Sequence, residues 1–236
     1  MRPRPHLLLA VLASSACGRG APFGGGGPSC PHDLELDRTA NTTVVVSSIA
    51  TVVRHDLSLE ALGRLPGVES VGPGGKLQGL TMIHHQLDYK TGVAVTRPPL
   101  LGGGARCAWI DRLTVDLTPE FGKIEVFVPS DYPEESCEYQ QILQHELQHD
   151  ETHRDVLAQA ADDMRRALAK ADYLPARGTP LAVADRPEAE RRIEAMVDKI
   201  TKPVFSGFQK TLKERQAVID LPENYRWVTR RCSNWK

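Results

Sequence analysis

Neither proline nor glycine interrupts residues 134–174, the longest such run in the chain. A run of that length with its apolar residues on one stripe is helical. Ile142, His145, His149, Val156, Ala160 and Ala167 recur at three- and four-residue steps or their sums, so they share one face of a helix with about 3.6 residues per turn. Asp131 suits a helix cap, Pro133 a first-turn position, and Glu134 and Glu135 the positive end of the helix dipole. These signals predict one long helix over 133–171. After Pro175 a second helix is expected from Asp185–Pro187 to about Ala217, with Pro203 and Gly207 as the place for a kink.

Upstream the texture is different. Residues 42–53 are dense in Val, Thr and Ile, and 80–89, 93–96, 108–117 and 123–128 are similar. Leu113-Thr114-Val115-Asp116-Leu117 alternates in polarity, which describes a half-buried strand. Residues 59–65 read as a short helix, and Gly72-Pro73-Gly74-Gly75 and Gly102-Gly103-Gly104 as loops. The fold class is therefore α+β: an N-terminal antiparallel β-sheet region, then the long helix, then a second helix antiparallel to it. The boundaries fall at 1–17 for an export signal, 18–38 for a Gly/Pro-rich tether, and 39–236 for one folded domain, β-rich over 39–129 and helical over 130–236.

The export signal is read from Arg2 and Arg4, the apolar run 7–13, and the small residues Ser14-Ser15-Ala16. Ser14-x-Ala16 suits cleavage by a signal peptidase. Ala16-Cys17 suits a lipobox, which would tether the chain to a membrane through an acylated Cys17. The expected location is the periplasm, the cell envelope or the outside. Four cysteines remain besides Cys17, and an even count in an exported chain implies two disulfides. The pairing expected is Cys107 with Cys137 and Cys30 with Cys232. Twenty-nine basic and 30 acidic residues leave a formal charge of −1, so the chain has no electrostatic footprint for nucleic acid, and a monomer is expected.

The chemical signal sits inside the long helix: His145-Glu146-Leu147-Gln148-His149, an HExxH motif. Composition alone, with 8 His and 15 Glu in 236 residues, predicts about 0.017 occurrences. Two imidazoles one turn apart can grip one Zn²⁺, and the glutamate between them lies where it can take a proton from water beside the metal. A third ligand is needed. His153 continues the series, but on a straight helix it lies roughly 9 Å along the axis from the midpoint of the pair. If the second helix returns antiparallel, it and the residues after it bring Glu214, Asp220, Glu223 and Tyr225 to the level of the motif. The third ligand is open among His153, Asp220 and Glu223, and Tyr225 is a candidate for stabilising an oxyanion. His84 and His85 are neighbours on a strand, so at most one could reach a metal.

These features resemble a group of exported bacterial proteins predicted to be secreted zinc-dependent proteases (the DUF922 group). The likeness spans about 45–225. It rests on the strand region 80–89, the cysteine before paired strands at 107–128, the helix with Gln144-His145-Glu146-Leu147-Gln148-His149, and a second helix running into Ile219-Asp220. In that group a histidine after the aspartate is a natural third ligand; here Tyr225 stands at that place. The resemblance implies a zinc-dependent peptidase acting on peptide or protein. The alternative is a non-catalytic envelope module with a vestigial or structural metal site.

Overall fold

A computed structural model describes residues 30, 41–47, 49–66, 68, 78–83, 85–97, 106–119, 123–233 and 235. The expected export signal and Cys17, almost all of the tether, and His84 lie outside the described residues. The chain is α+β, as its sequence predicts. Strands β1 (Asn41–Val45), β4 (His85–Thr96), β5 (Arg106–Pro119) and β7 (Leu181–Val183) form one sheet, and β2 (Ala50–Arg54), β3 (Leu80–Met82) and β6 (Lys123–Phe127) form a second. The antiparallel pairing holds for β4–β5, β5–β7 and β3–β6, while β1 joins β5 and β2 joins β6 in parallel. The Val/Thr-rich stretch 42–53 thus serves both sheets, one strand each.

Alternation in β5 does what the polarity pattern requires: Leu113, Val115 and Leu117 are buried against the helices. Between the strands lies α1 (Leu59–Leu62). Helix α2 (Cys137–Ala169) packs on β6, β3 and β1, so one helix covers both sheets. Helix α3 (Arg186–Ile219) packs on α2, β4 and β7. Helix α4 (Pro222–Arg230) folds back onto α2. The stripe on α2 is buried at Ile142, His145, His149, Val156 and Ala160, and Ile193, Val197, Phe208 and Leu212 of α3 belong to the core they enter.

Helix α2 starts later than the cap signals suggest. Asp131 serves α1 instead, accepting from the Leu59 N–H at 2.6 Å. Residues 133–136 form a turn closed by Ser136 N–H to Pro133 O, and the Ser136 hydroxyl caps α2 by accepting from Tyr139 N–H at 3.1 Å. Helix α3 starts where expected, and Asp185 caps it by accepting from Glu188 N–H at 2.8 Å. Pro203 sits within α3 without ending it.

Two disulfides are present, but the pairing differs from the one expected: Cys30 joins Cys107, and Cys137 joins Cys232. The rest of β5 and all of β6 intervene between Cys107 and Cys137, whereas α4, packed on α2, delivers Cys232 to the first residue of α2. The Cys137–Cys232 bond closes a separation of 95 residues. Replacing both cysteines by serine is expected to cost about 2–4 kcal/mol, because the unfolded chain regains the freedom that the cross-link removes. A fall in the urea midpoint with an unchanged or larger m value checks it.

Candidate metal centre

Helix α2 places His145 and His149 one turn apart on its packed face, with rings 5.1 Å apart between centroids. Both are buried. Asp220, the residue that ends α3, completes the group. Its Oδ1 lies 3.1 Å from His149 Nε2 and 3.4 Å from His145 Nε2, and the two Nε2 atoms are 3.4 Å apart. Two ligands about 2.05 Å from one tetrahedral Zn²⁺ are separated by about 3.3 Å. All three distances lie near that value, so the donor set and its spacing fit a single divalent cation. The group His145, His149 and Asp220 can hold a metal ion.

The protonation pattern agrees. Gln216, one turn before Asp220 on α3, donates from Nε2 to the His149 carbonyl at 3.0 Å. Its Oε1 therefore faces His149 Nδ1 and accepts from it. That assigns the proton to Nδ1 and leaves the Nε2 lone pair pointing at Asp220. A lone pair facing a carboxylate oxygen is repulsive until a cation or a proton lies between them. Without metal a proton fills that place. Burial works against a charged His149, but the hydrogen bond to Asp220 and the nearby Glu146 and Asp220 carboxylates outweigh it and raise its pKa. Burial would raise the Asp220 pKa, but the hydrogen bonds from both imidazoles outweigh it and hold the carboxyl well below the usual range. Asp220 is thus an anion at any physiological pH.

Gln216 is a positioning residue that sequence reading did not find; its i, i+4 relation to Asp220 is the signal that was there. Gln216→Ala frees the His149 ring to turn, and zinc affinity is expected to fall about 10–100-fold. Competition with a chelating dye measures this.

Glu146 is buried among Thr81, Ile142 and Gly79. Its Oε2 accepts from Thr81 Oγ1 at 2.8 Å. Burial raises its pKa above the ordinary carboxyl value, against the lowering effect of the two histidines. Gly79 makes room for it: a Cβ there would lie 2.6 Å from Glu146 Oε1 and 2.7 Å from Ile142 Cγ2. Neither Thr81 nor Gly79 carries a signal in the sequence, because β3 reaches α2 only through the tertiary fold.

Tyr225, in the first turns of α4, stacks at 5.0 Å from the His145 ring and donates from its hydroxyl to Asp220 Oδ1 at 2.8 Å. Burial first, and then the Asp220 charge, push its pKa well up, so the phenol keeps its proton. The other candidates lie elsewhere. His153 is fully buried beside Phe208, 6.3 Å between ring centroids, and is not part of the group. Glu223 is exposed and paired with Arg226 at 2.7 Å. Glu214 is exposed on α3, facing Lys210. Asp150, next to His149, accepts from Thr51 Oγ1 and from Arg154 Nε, which ties this part of α2 to β2. No family model, curated protein or solved structure matches the chain.

Proposed function

We propose that the protein is an exported zinc-dependent hydrolase, most plainly a peptidase, working through HExxH. What carries the reading is the set of three donors, two imidazole nitrogens and one carboxylate oxygen, at the mutual separations of ligands on one tetrahedral ion. Zinc with three protein ligands keeps a position open for water or substrate, and when bound it supplies Lewis acidity that polarises a carbonyl and makes water acidic. His145, His149 and Asp220 hold it. Gln216 fixes the His149 tautomer that can do so.

Glu146 is the general base. Without metal, burial raises its pKa above the ordinary carboxyl value, and a bound cation would favour the carboxylate form that accepts a proton. Its carboxylate takes the proton from the attacking water and returns it to the leaving amine nitrogen. Thr81 holds Oε2 and so fixes the carboxylate. Tyr225 keeps a hydroxyl proton beside the donor group, and turning it from Asp220 Oδ1 to the substrate would stabilise the oxyanion.

Export is supported by the Arg-led apolar N-terminus and by two disulfides, which persist in oxidising compartments. The resemblance to predicted secreted zinc proteases points the same way, with Tyr225 where that group has its histidine and Asp220 as the third donor. The purified chain is expected to contain one zinc per molecule, and its peptide hydrolysis is expected to stop on chelation and return with Zn²⁺. Stoichiometric zinc with no turnover across a broad peptide library would instead make this a binding module.

A further inference from the structure

Beside the metal-binding group lies a pocket of about 140 Å³ whose wall includes His145. Helix α2 lines it with a row of amides, Gln141, Gln144 and Gln148, at the three- and four-residue steps that keep them on one face. Val218 and Ile219 at the end of α3 and Trp227 of α4 form the apolar wall opposite. Among the described residues of the lining there is no carboxylate. Arg231 stands behind this lining and braces it. Its guanidinium lies 4.1 Å over the Trp227 ring, and Nη1 donates to Oε1 of both Gln141 and Gln144, at 3.0 and 3.1 Å.

That arrangement decides the polarity of the pocket. With both carboxamide oxygens turned to Arg231, the N–H₂ ends of Gln141 and Gln144 are what remains for a guest. The N–H₂ ends of Gln141 and Gln144 line one side, with the Arg231 charge behind them, and Val218, Ile219 and Trp227 line the other, where Asn224 turns its N–H₂ to the Val218 and Ile219 carbonyls. The complement is a side chain with an apolar stem and an oxygen-bearing tip. Size narrows it further. A cavity of about 150 Å³ holds a benzene molecule, six heavy atoms. A glutamate side chain has five, while tryptophan is too large.

We propose that this pocket is a substrate subsite that selects a glutamate side chain close to the scissile bond, with glutamine as the weaker guest and lysine excluded. The proposal rests on the hydrolase reading, since it places the peptide across His145. The guest's carboxylate takes N–H donors from Gln141 and Gln144, whose oxygens hold the Arg231 charge behind them, and its methylenes lie on Trp227 and Val218. Charge-assisted hydrogen bonds of this kind are about twice as strong as neutral ones, which separates Glu from Gln.

Binding and turnover are measured separately. Peptides identical except for Glu, Gln, Leu or Lys at a scanned position are titrated calorimetrically into the zinc-loaded Glu146→Gln chain, and kcat/KM is taken on the unaltered chain. Glu is expected to bind about tenfold more tightly than Lys at one position, with kcat/KM in the same order. Arg231→Glu, an exposed substitution, reverses the order, and Gln144→Leu narrows the gap between Glu and Leu. Binding without discrimination, or discrimination unmoved by both variants, overturns the subsite whether or not the peptides are cleaved. Discrimination that follows the variants while the unaltered chain cleaves nothing upholds the pocket as a recognition site and overturns hydrolysis instead.

Discussion

The Asp220→Ala chain is expected to lose zinc binding by more than about 100-fold, beyond what removal of an outer hydrogen-bonding partner causes. Asp220 is the only anion in the donor group, and its removal leaves two neutral imidazoles on one helix. Two further effects add to this. Tyr225 loses the acceptor of its hydroxyl proton, and His149 loses the carboxylate that faces Nε2. Asp220 is also the residue that closes α3, where its N–H bonds Gln216 O at 3.2 Å; that bond belongs to the backbone and survives the substitution. The fold is therefore expected to persist while the metal leaves. Zinc content after dialysis, with the far-ultraviolet spectrum of the same sample, separates the two. An Asp220→Ala chain that keeps a full zinc complement would mean the third ligand is another residue.

Glu146→Gln is expected to do the opposite: keep the metal and lose hydrolysis by about 10²–10⁴-fold, the usual worth of a positioned general base. The amide is nearly isosteric and still accepts from Thr81, so the crowded contact with Gly79 and Ile142 stays filled. What is lost is the ability to take up a proton. Zinc affinity is expected to change little, because Glu146 is not one of the three donors. The measurement is kcat at saturating zinc. Turnover within a few-fold of the unaltered chain would remove Glu146 from the chemistry, and with it the HExxH mechanism.

Zinc affinity should also fall as the solution is acidified, and the sign follows from the site. His149 has its pKa raised in the metal-free protein, so the proton competes with the metal from a higher pH than for an ordinary histidine. Asp220 stays ionised throughout and takes no part in that competition.

What the sequence determined was local. An unbroken stretch with apolar residues at helical spacing forms α2 wherever it packs, because hydrogen bonds at i, i+4 and a buried stripe are both written into consecutive residues. The same spacing puts His145 and His149 on one face with Glu146 between them, so two of the three grouped donors and the proposed base are legible in consecutive residues alone. Alternation in β5 and the composition of the strand region point to the α+β class in the same way. The tertiary structure decided what depends on residues far apart in the chain. Asp220, and not His153 or Glu223, joins His145 and His149 in a group that can hold a metal ion, because α3 runs back along α2 and ends level with His149. Asp131 capped α1 and not α2, and Cys137 found Cys232 and not Cys107, for the same reason. Helix periodicity is fixed by neighbours three and four residues away, whereas a metal centre and a disulfide are fixed by which surfaces pack together, and spacing along one chain does not encode that.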